Sequence, residues 1–311
     1  MRDAFAKVLY QLARSNPKIF IVVADISPAA SMAPFQEEFP NRFINVGVAE
    51  QSMIGMCAGM AMRGLKVFAY TIAAFAAYRP FEQIRDDLCY QNIPVTVVGV
   101  GGGVAYSTLG GTHHAQEDIA VLSALPNMTI IAPCDPLETK AATLACSQLK
   151  TPVYLRLGKS GEPILTAGAL EPFKFGKLRY LQKGNDVCIL SYGPITKMAF
   201  EVAGKLEQMQ RTVSIISVHT LKPLDKSGII ETLKTHSRVI VIEEHSEQGG
   251  LAAQVKQIAW EGEANCLLLT FSLKDKFIHI YGFPQDIWKA HGLSCDDIFR
   301  KISTTYLRGR M

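Results

Sequence analysis

Short runs of apolar, mostly β-branched residues recur through the first half of the chain, at 19–24, 43–46, 67–70, 95–100, 129–132 and 153–157. Each run is apolar at nearly every position, so both of its faces need cover, which is the pattern of a parallel sheet with helices on either side. Between the runs, Ala4, Phe5, Val8, Leu9, Leu12 and Ala13 repeat at helical spacing, and Asp135 followed by Pro136 predicts a helix N-cap with proline in the first turn. The pattern predicts a doubly wound α/β domain over 1–160.

The periodicity then lapses. Gly158, Gly161, Pro163, Gly168, Pro172, Gly176 and Gly184 break up the next stretch, which reads as a linker over 161–185 with room for a hairpin at its end. A second alternation follows, with strands at 187–190, 213–218 and 239–243, helices between them, and a further helix after Gly249-Gly250. It predicts a smaller, mostly parallel α/β domain over 186–311, and neither half carries a repeat.

Composition narrows the function classes. With 311 residues, 48% apolar and 19% charged, the chain can bury a core in each domain. Thirty-two Lys and Arg against 28 Asp and Glu give a net charge of +4 with no basic run longer than a pair, so nucleic acid is not an expected partner. The longest nearly uncharged apolar stretch, 53–62, is too short to span a bilayer, and no leader pattern opens the chain; a soluble, cytoplasmic protein is expected. Seven cysteines, an odd count with no CxxC pair, fit reduced thiols rather than a disulfide frame or a zinc site.

Four places invite a chemical reading. Glu50 falls where a strand ends and the apolar helix 52–62 begins; burial there would raise its pKa unless a donor or cation is near, although a first-turn acid favoured by the helix dipole would look the same. Phe75 and Tyr78, three apart after the strand at 67–70, form either a flat stacking surface or one face of a core helix. The glycine-rich stretch 99–111 follows a strand but lacks G-x-G-x-x-G, which excludes a dinucleotide fingerprint. Glu243, Glu244 and His245 are consecutive and would diverge on a strand, so no metal site is expected.

Taken together, Gly47-Val48-Ala49-Glu50-Gln51, Phe75-Ala76-Ala77-Tyr78, Gly110-Gly111-Thr112-His113-His114 with Glu117-Asp118, and Leu221-Lys222-Pro223-Leu224-Asp225 resemble, in order and spacing, the pyrimidine-binding and C-terminal domains of the transketolase group of thiamine-diphosphate enzymes. The resemblance covers nearly the whole chain. It implies that Glu50 contacts N1′ of the aminopyrimidine and promotes removal of the thiazolium C2 proton, a task for a carboxyl able to share a proton at neutral pH. It places Phe75 and Tyr78 against the aminopyrimidine, with Ile72 where transketolases usually carry another aromatic. Asp25, which could equally be a strand-end turn residue, is placed near the thiazolium.

The resemblance further implies that His113, and more weakly His114, lines the substrate channel and handles hydroxyl protons, as an imidazole with a near-neutral pKa can. Arg156 and Arg2 match substrate-phosphate contacts, for which a guanidinium fork is suited. Three departures stand out: Leu109 replaces a sugar-reading aspartate, Gly101 an upstream histidine, and Ala29 a phosphate-binding serine.

The chain has no Gly-Asp-Gly, the motif with which the family holds a divalent ion against the cofactor's diphosphate. The resemblance therefore implies a split transketolase transferring a two-carbon ketol unit between sugars or sugar phosphates. In it thiamine diphosphate sits between this chain and a separate N-terminal, diphosphate-binding subunit that mainly holds the Mg²⁺ (or Ca²⁺), by analogy in an α₂β₂ assembly. Rival readings are the beta subunit of a 2-oxoacid dehydrogenase, a deoxyxylulose-phosphate-type synthase, and a non-catalytic assembly or regulatory subunit.

Overall fold

The computed structural model describes residues 1–25 and 30–308, with the side chains of 306–308 left out; Ala29 lies outside the described residues. The first half supplies β1 (Ile19–Val23), β2 (Phe43–Asn45), β3 (Lys66–Ile72), β4 (Thr96–Val100), β5 (Thr129–Ile131) and β6 (Val153–Leu157). The second supplies β7 (Arg179–Gln182), β8 (Val187–Ser191), β9 (Val213–Ser217), β10 (Thr220–Lys222), β11 (Arg238–Ser246) and β12 (Leu267–Leu273). Among the described residues they form a sheet in the order β10-β5-β6-β4-β3-β1-β2 and a second in the order β12-β11-β8-β9-β7.

β1 to β6 run parallel to one another. β1, β4 and β6 are buried on both faces except at Phe20, as their mostly apolar character requires, with Arg156 in β6 buried as well. Helix Arg2–Ser15 lays Phe5, Leu9 and Ala13 against one face of this sheet, and helix Glu50–Met62 lays Met53, Ile54 and Cys57 against the other. Asp135 caps helix Pro136–Gln148 by accepting the Glu138 N–H at 2.7 Å, the cap that the Asp-Pro pair predicts.

The second half departs from the sequence expectation in three ways. β10 leaves its own domain and pairs antiparallel with β5, extending the first sheet. There the Lys222 ammonium donates to the carbonyls of Ser123 and Leu125 at 2.7 and 2.6 Å, satisfying the end of helix Asp118–Ser123. The motif Leu221-Lys222-Pro223-Leu224-Asp225 is thus a tie between the domains, and its Asp225 caps helix Lys226–Thr235.

The hairpin at the end of the linker does not form. β7 instead pairs antiparallel with β9, and β8 lies on β9's other side. Gly184 lets the chain cross beneath the start of β9, where a Cβ would stand 2.2 Å from the Val213 nitrogen. Third, β12 has no counterpart among the expected strands: it is an apolar but half-exposed strand at the edge of the second sheet.

The linker is pinned rather than loose. The second oxygen of Asp135 accepts the backbone N–H groups of Leu165 and Thr166 at 2.8 and 2.7 Å, and buried Glu138 binds Arg179 at 3.1 Å and the Ser217 hydroxyl at 2.9 Å. Among the described residues no helix is long and apolar enough to cross a membrane.

Candidate active site

The residues singled out by sequence collect where the parallel strands of the first sheet end, the position at which open α/β sheets bind their ligands. At the end of β1, Asp25 adopts φ +56° and is exposed, its N–H donating to the Asn45 side chain at 3.2 Å. The same Asn45 oxygen accepts the Gly47 N–H at 2.9 Å, so one amide fixes both the end of β1 and the turn that leads to Glu50.

Glu50 opens helix Glu50–Met62 and is 3% exposed. The cation that the sequence left open is Arg79: its Nη1 donates to Glu50 Oε1 at 2.9 Å. Arg79 also lies over the Phe75 ring, 3.9 Å from its centroid. The arrangement follows from local sequence, because β3 runs directly into helix Ala73–Tyr78 and residues 75 and 79 stand one helical turn apart. Sequence reasoning missed Arg79, although its i+4 spacing from Phe75 was there to be read.

Phe75 is half-buried and meets the edge of the His113 ring at 5.1 Å between centroids. Tyr78 turns elsewhere: its hydroxyl donates to Glu117 Oε2 at 2.8 Å and accepts the Glu117 N–H at 3.1 Å, and burial, with Asp118 and Glu117 nearby, pushes its phenol far up. Its placement ties helix Ala73–Tyr78 to the loop behind His113 rather than stacking beside Phe75. Ile72 is buried at the N-cap of that helix.

The loop after β4 carries the two histidines. His113 is half-buried, with Nδ1 3.0 Å from the Thr112 hydroxyl. His114 is buried with neither ring nitrogen hydrogen-bonded, and burial, then the neighbouring His113, lowers its pKa. Gly101, at φ +74°, stands so close to Tyr106 that a Cβ would lie 2.2 Å from the ring. Tyr106 thus fills the space a side chain at 101 would need, and its ring sits 6.3 Å from that of His113.

Arg156 does not face open space. It is 2% exposed, and its Nε donates to Asp118 at 2.8 Å while Nη2 donates to the carbonyls of Ala115 and Glu244 at 3.2 and 3.0 Å. Tyr154 donates to the same Asp118 oxygen at 2.7 Å. This placement differs from the expected phosphate contact: the guanidinium is committed to the seam between the domains, where Asp118 draws it inward. Three residues on, Lys159 sits over the Tyr106 ring at 4.8 Å and lines an interdomain cavity of about 400 Å³. Arg2 opens helix Arg2–Ser15 with its Nε buried and unpaired, and its charge offsets part of the upward push that burial gives the Tyr106 phenol.

Glu243, Glu244 and His245 point to separate partners. Glu243 accepts the Leu251 and Ala252 N–H groups at 2.7 and 3.1 Å, Glu244 the Val104 N–H, and His245 Nε2 the Ala120 N–H.

Two family models match this chain: the transketolase pyrimidine binding domain over residues 1–162, and the transketolase C-terminal domain over 176–298. The chain belongs to the transketolase family. It is 32% identical over 297 residues to an apulose-4-phosphate transketolase subunit from Phocaeicola vulgatus, covering 96% of this chain and 94% of that one. It is 30% identical to a 1-deoxy-D-xylulose-5-phosphate synthase from Clostridium perfringens, of which it spans 48%. A solved split-gene transketolase, described as an inactive beta4 tetramer, superposes with a TM-score of 0.86 at 33% identity and 97% coverage of both chains. This transketolase chain thus matches split-enzyme relatives end to end and larger relatives over about half their length.

Proposed function

We propose that this chain is the pyrimidine-binding subunit of a split, thiamine-diphosphate-dependent transketolase. A partner subunit carries the diphosphate-binding domain and the divalent ion. The observation that carries the reading is the meeting of buried Glu50, the Phe75 ring and His113 at the carboxyl ends of β2, β3 and β4. The near-complete mutual coverage with the Phocaeicola vulgatus transketolase subunit favours a split enzyme over a synthase or a full-length transketolase.

The residues present fit the aminopyrimidine half of the cofactor. Glu50 offers a carboxyl already desolvated, and Phe75 offers a flat face over which lies the 41% exposed side chain of Arg79. When bound, thiamine diphosphate would supply a carbon nucleophile able to attack a ketose carbonyl. In that complex Glu50 would hold or share a proton at N1′, and His113 would move protons at substrate hydroxyls. Phosphate recognition would fall to Lys159 and Arg2, the cations acting on Tyr106, with Arg156 holding the domains together.

The surface beside Glu50 supports a partner. Val48, Met56 and Met62 are exposed on and just before helix Glu50–Met62, whose buried residues already face the sheet. A second chain covering this face would bury these apolar side chains, with α₂β₂ the closed assembly that results.

Native mass spectrometry of the chain recovered from its own cells with thiamine diphosphate and Mg²⁺ tests this reading. A complex of two of these chains with two copies of a second subunit and two cofactors is expected. A homo-oligomer without cofactor, even after resupply, would favour a non-catalytic assembly subunit.

A further inference from the structure

We infer that Glu244, at the carboxyl end of β11, is a positioning residue for His113. The inference deepens the functional reading above and rests on it, because it assigns the C-terminal domain a part in the work of that site.

The loop from Gly103 to Gln116 carries His113 and is gripped at both ends by β11, through Glu244 and Ser246, while His245 between them holds the helix that follows. At its start, Glu244 Oε1 accepts the Val104 N–H at 2.9 Å, and the same oxygen accepts the Trp288 indole N–H at 2.9 Å. Gly103, at φ +68°, allows this approach, since a Cβ there would lie 2.4 Å from the Glu244 carboxyl carbon. At the loop's far end, the Ser246 N–H donates to the Gln116 carbonyl at 2.7 Å, and His245 Nε2 accepts the Ala120 N–H at 3.2 Å. With Nε2 accepting, Nδ1 of His245 carries the proton that it donates to the Ser246 carbonyl at 2.8 Å.

The two ends are joined to each other. Gly103 and Ala115 exchange backbone hydrogen bonds at 3.0 and 2.8 Å, and Arg156 Nη2 bridges the carbonyls of Ala115 and Glu244. His113 stands two residues from Ala115, so its place against the Phe75 ring depends on where this closed loop is held. Ser246 acts through its backbone and His245 on the following helix, so among the described residues of β11 it is Glu244 that reaches the loop itself with a side chain. Glu244 is buried and receives only neutral N–H donors, and burial pushes its carboxyl up. An amide oxygen could therefore serve as the same acceptor.

Glu244→Ala and Glu244→Gln separate positioning from general stability, with Leu206→Ala as a comparator that weakens the same domain away from the loop. On the chain alone, hydrogen exchange of amides in 103–116 should quicken about 10-fold or more in the Ala variant, stay near normal in the Gln variant, and be unmoved by Leu206→Ala. In the partner complex, the Ala variant should lose about 10-fold or more in kcat with KM little changed, and Gln should restore it. Unchanged exchange in the Ala variant, or an equal kcat loss in Leu206→Ala, would overturn the inference. A loop that loosens as expected in a protein whose wild-type complex has no transketolase turnover would uphold the clamp and refute the functional reading instead.

Discussion

Glu50 and Arg79 form an ion pair of 2.9 Å, and the same guanidinium covers the Phe75 ring at 3.9 Å from its centroid. One exposed side chain therefore holds two of the groups that the family resemblance assigns to the cofactor's aminopyrimidine, Glu50 and Phe75. A ring stacking on Phe75 must displace Arg79, and doing so frees the Glu50 oxygen that Arg79 occupies.

Phe75→Ala removes the stacking face without opening a deep cavity, because the ring is only half-buried. Loss of an aromatic contact of about 0.5–1.5 kcal/mol, together with its buried area, predicts thiamine diphosphate binding weakened about 10-fold or more in the partner complex. Isothermal titration reads this directly, and an unchanged Kd would remove Phe75 from the site.

Asp118→Asn addresses the seam. Asp118 and Arg156 are both buried at 2.8 Å, so removing the negative charge leaves a desolvated guanidinium without its counter-ion. About 3–5 kcal/mol of stability should be lost in urea unfolding. The pair between Lys177, 52% exposed, and Asp225, by contrast, should cost no more than about 1 kcal/mol when Lys177 is changed to Ala, because Asp225 keeps its bonds to Ser227, Gly228 and Leu178.

Acid should unfold the chain partly through His291. Its burial, with Lys276, Lys274 and His114 nearby, lowers its pKa from 6.5 to about 4. The unfolded chain binds this proton more readily, so the native state keeps its full stability above about pH 6.5 and loses it as pH falls toward about 4. His114 and His219, also lowered by burial, act in the same direction. Thermal unfolding between pH 7 and 4 should show a falling Tm, with a shallower slope in His291→Gln; equal slopes would exclude His291.

His113→Ala should reduce kcat of the partner complex about 10²-fold, the usual range for a positioned acid or base, with the fold intact. A loss confined to KM would make His113 a binding contact only.

Much of the architecture was legible because the parallel strands are buried on both faces and read as unbroken apolar runs, and because Asp135-Pro136 caps a helix by local chemistry alone. β10 was not legible: three residues ending in Lys222 have no apolar run, and their place is set by carbonyls at Ser123 and Leu125, about a hundred residues earlier in the chain. The same distinction holds at the site. Glu50, Phe75 and His113 stand at strand ends that the pattern locates, whereas the seam around Arg156 depends on Asp118 and Glu244, which meet it only in three dimensions. Tyr106 carries no signal in the sequence, because its role depends on the space left by Gly101.

The sharpest test of the part given to Glu50 is turnover of the reconstituted complex carrying Glu50→Gln. The substitution keeps the size of the side chain and its bond to Arg79, but not a carboxyl's capacity to hold or release a proton. The complex is expected to assemble normally and to lose roughly 10²- to 10⁴-fold in kcat. A variant that turns over ketose and aldose at a near-wild-type rate would contradict that role.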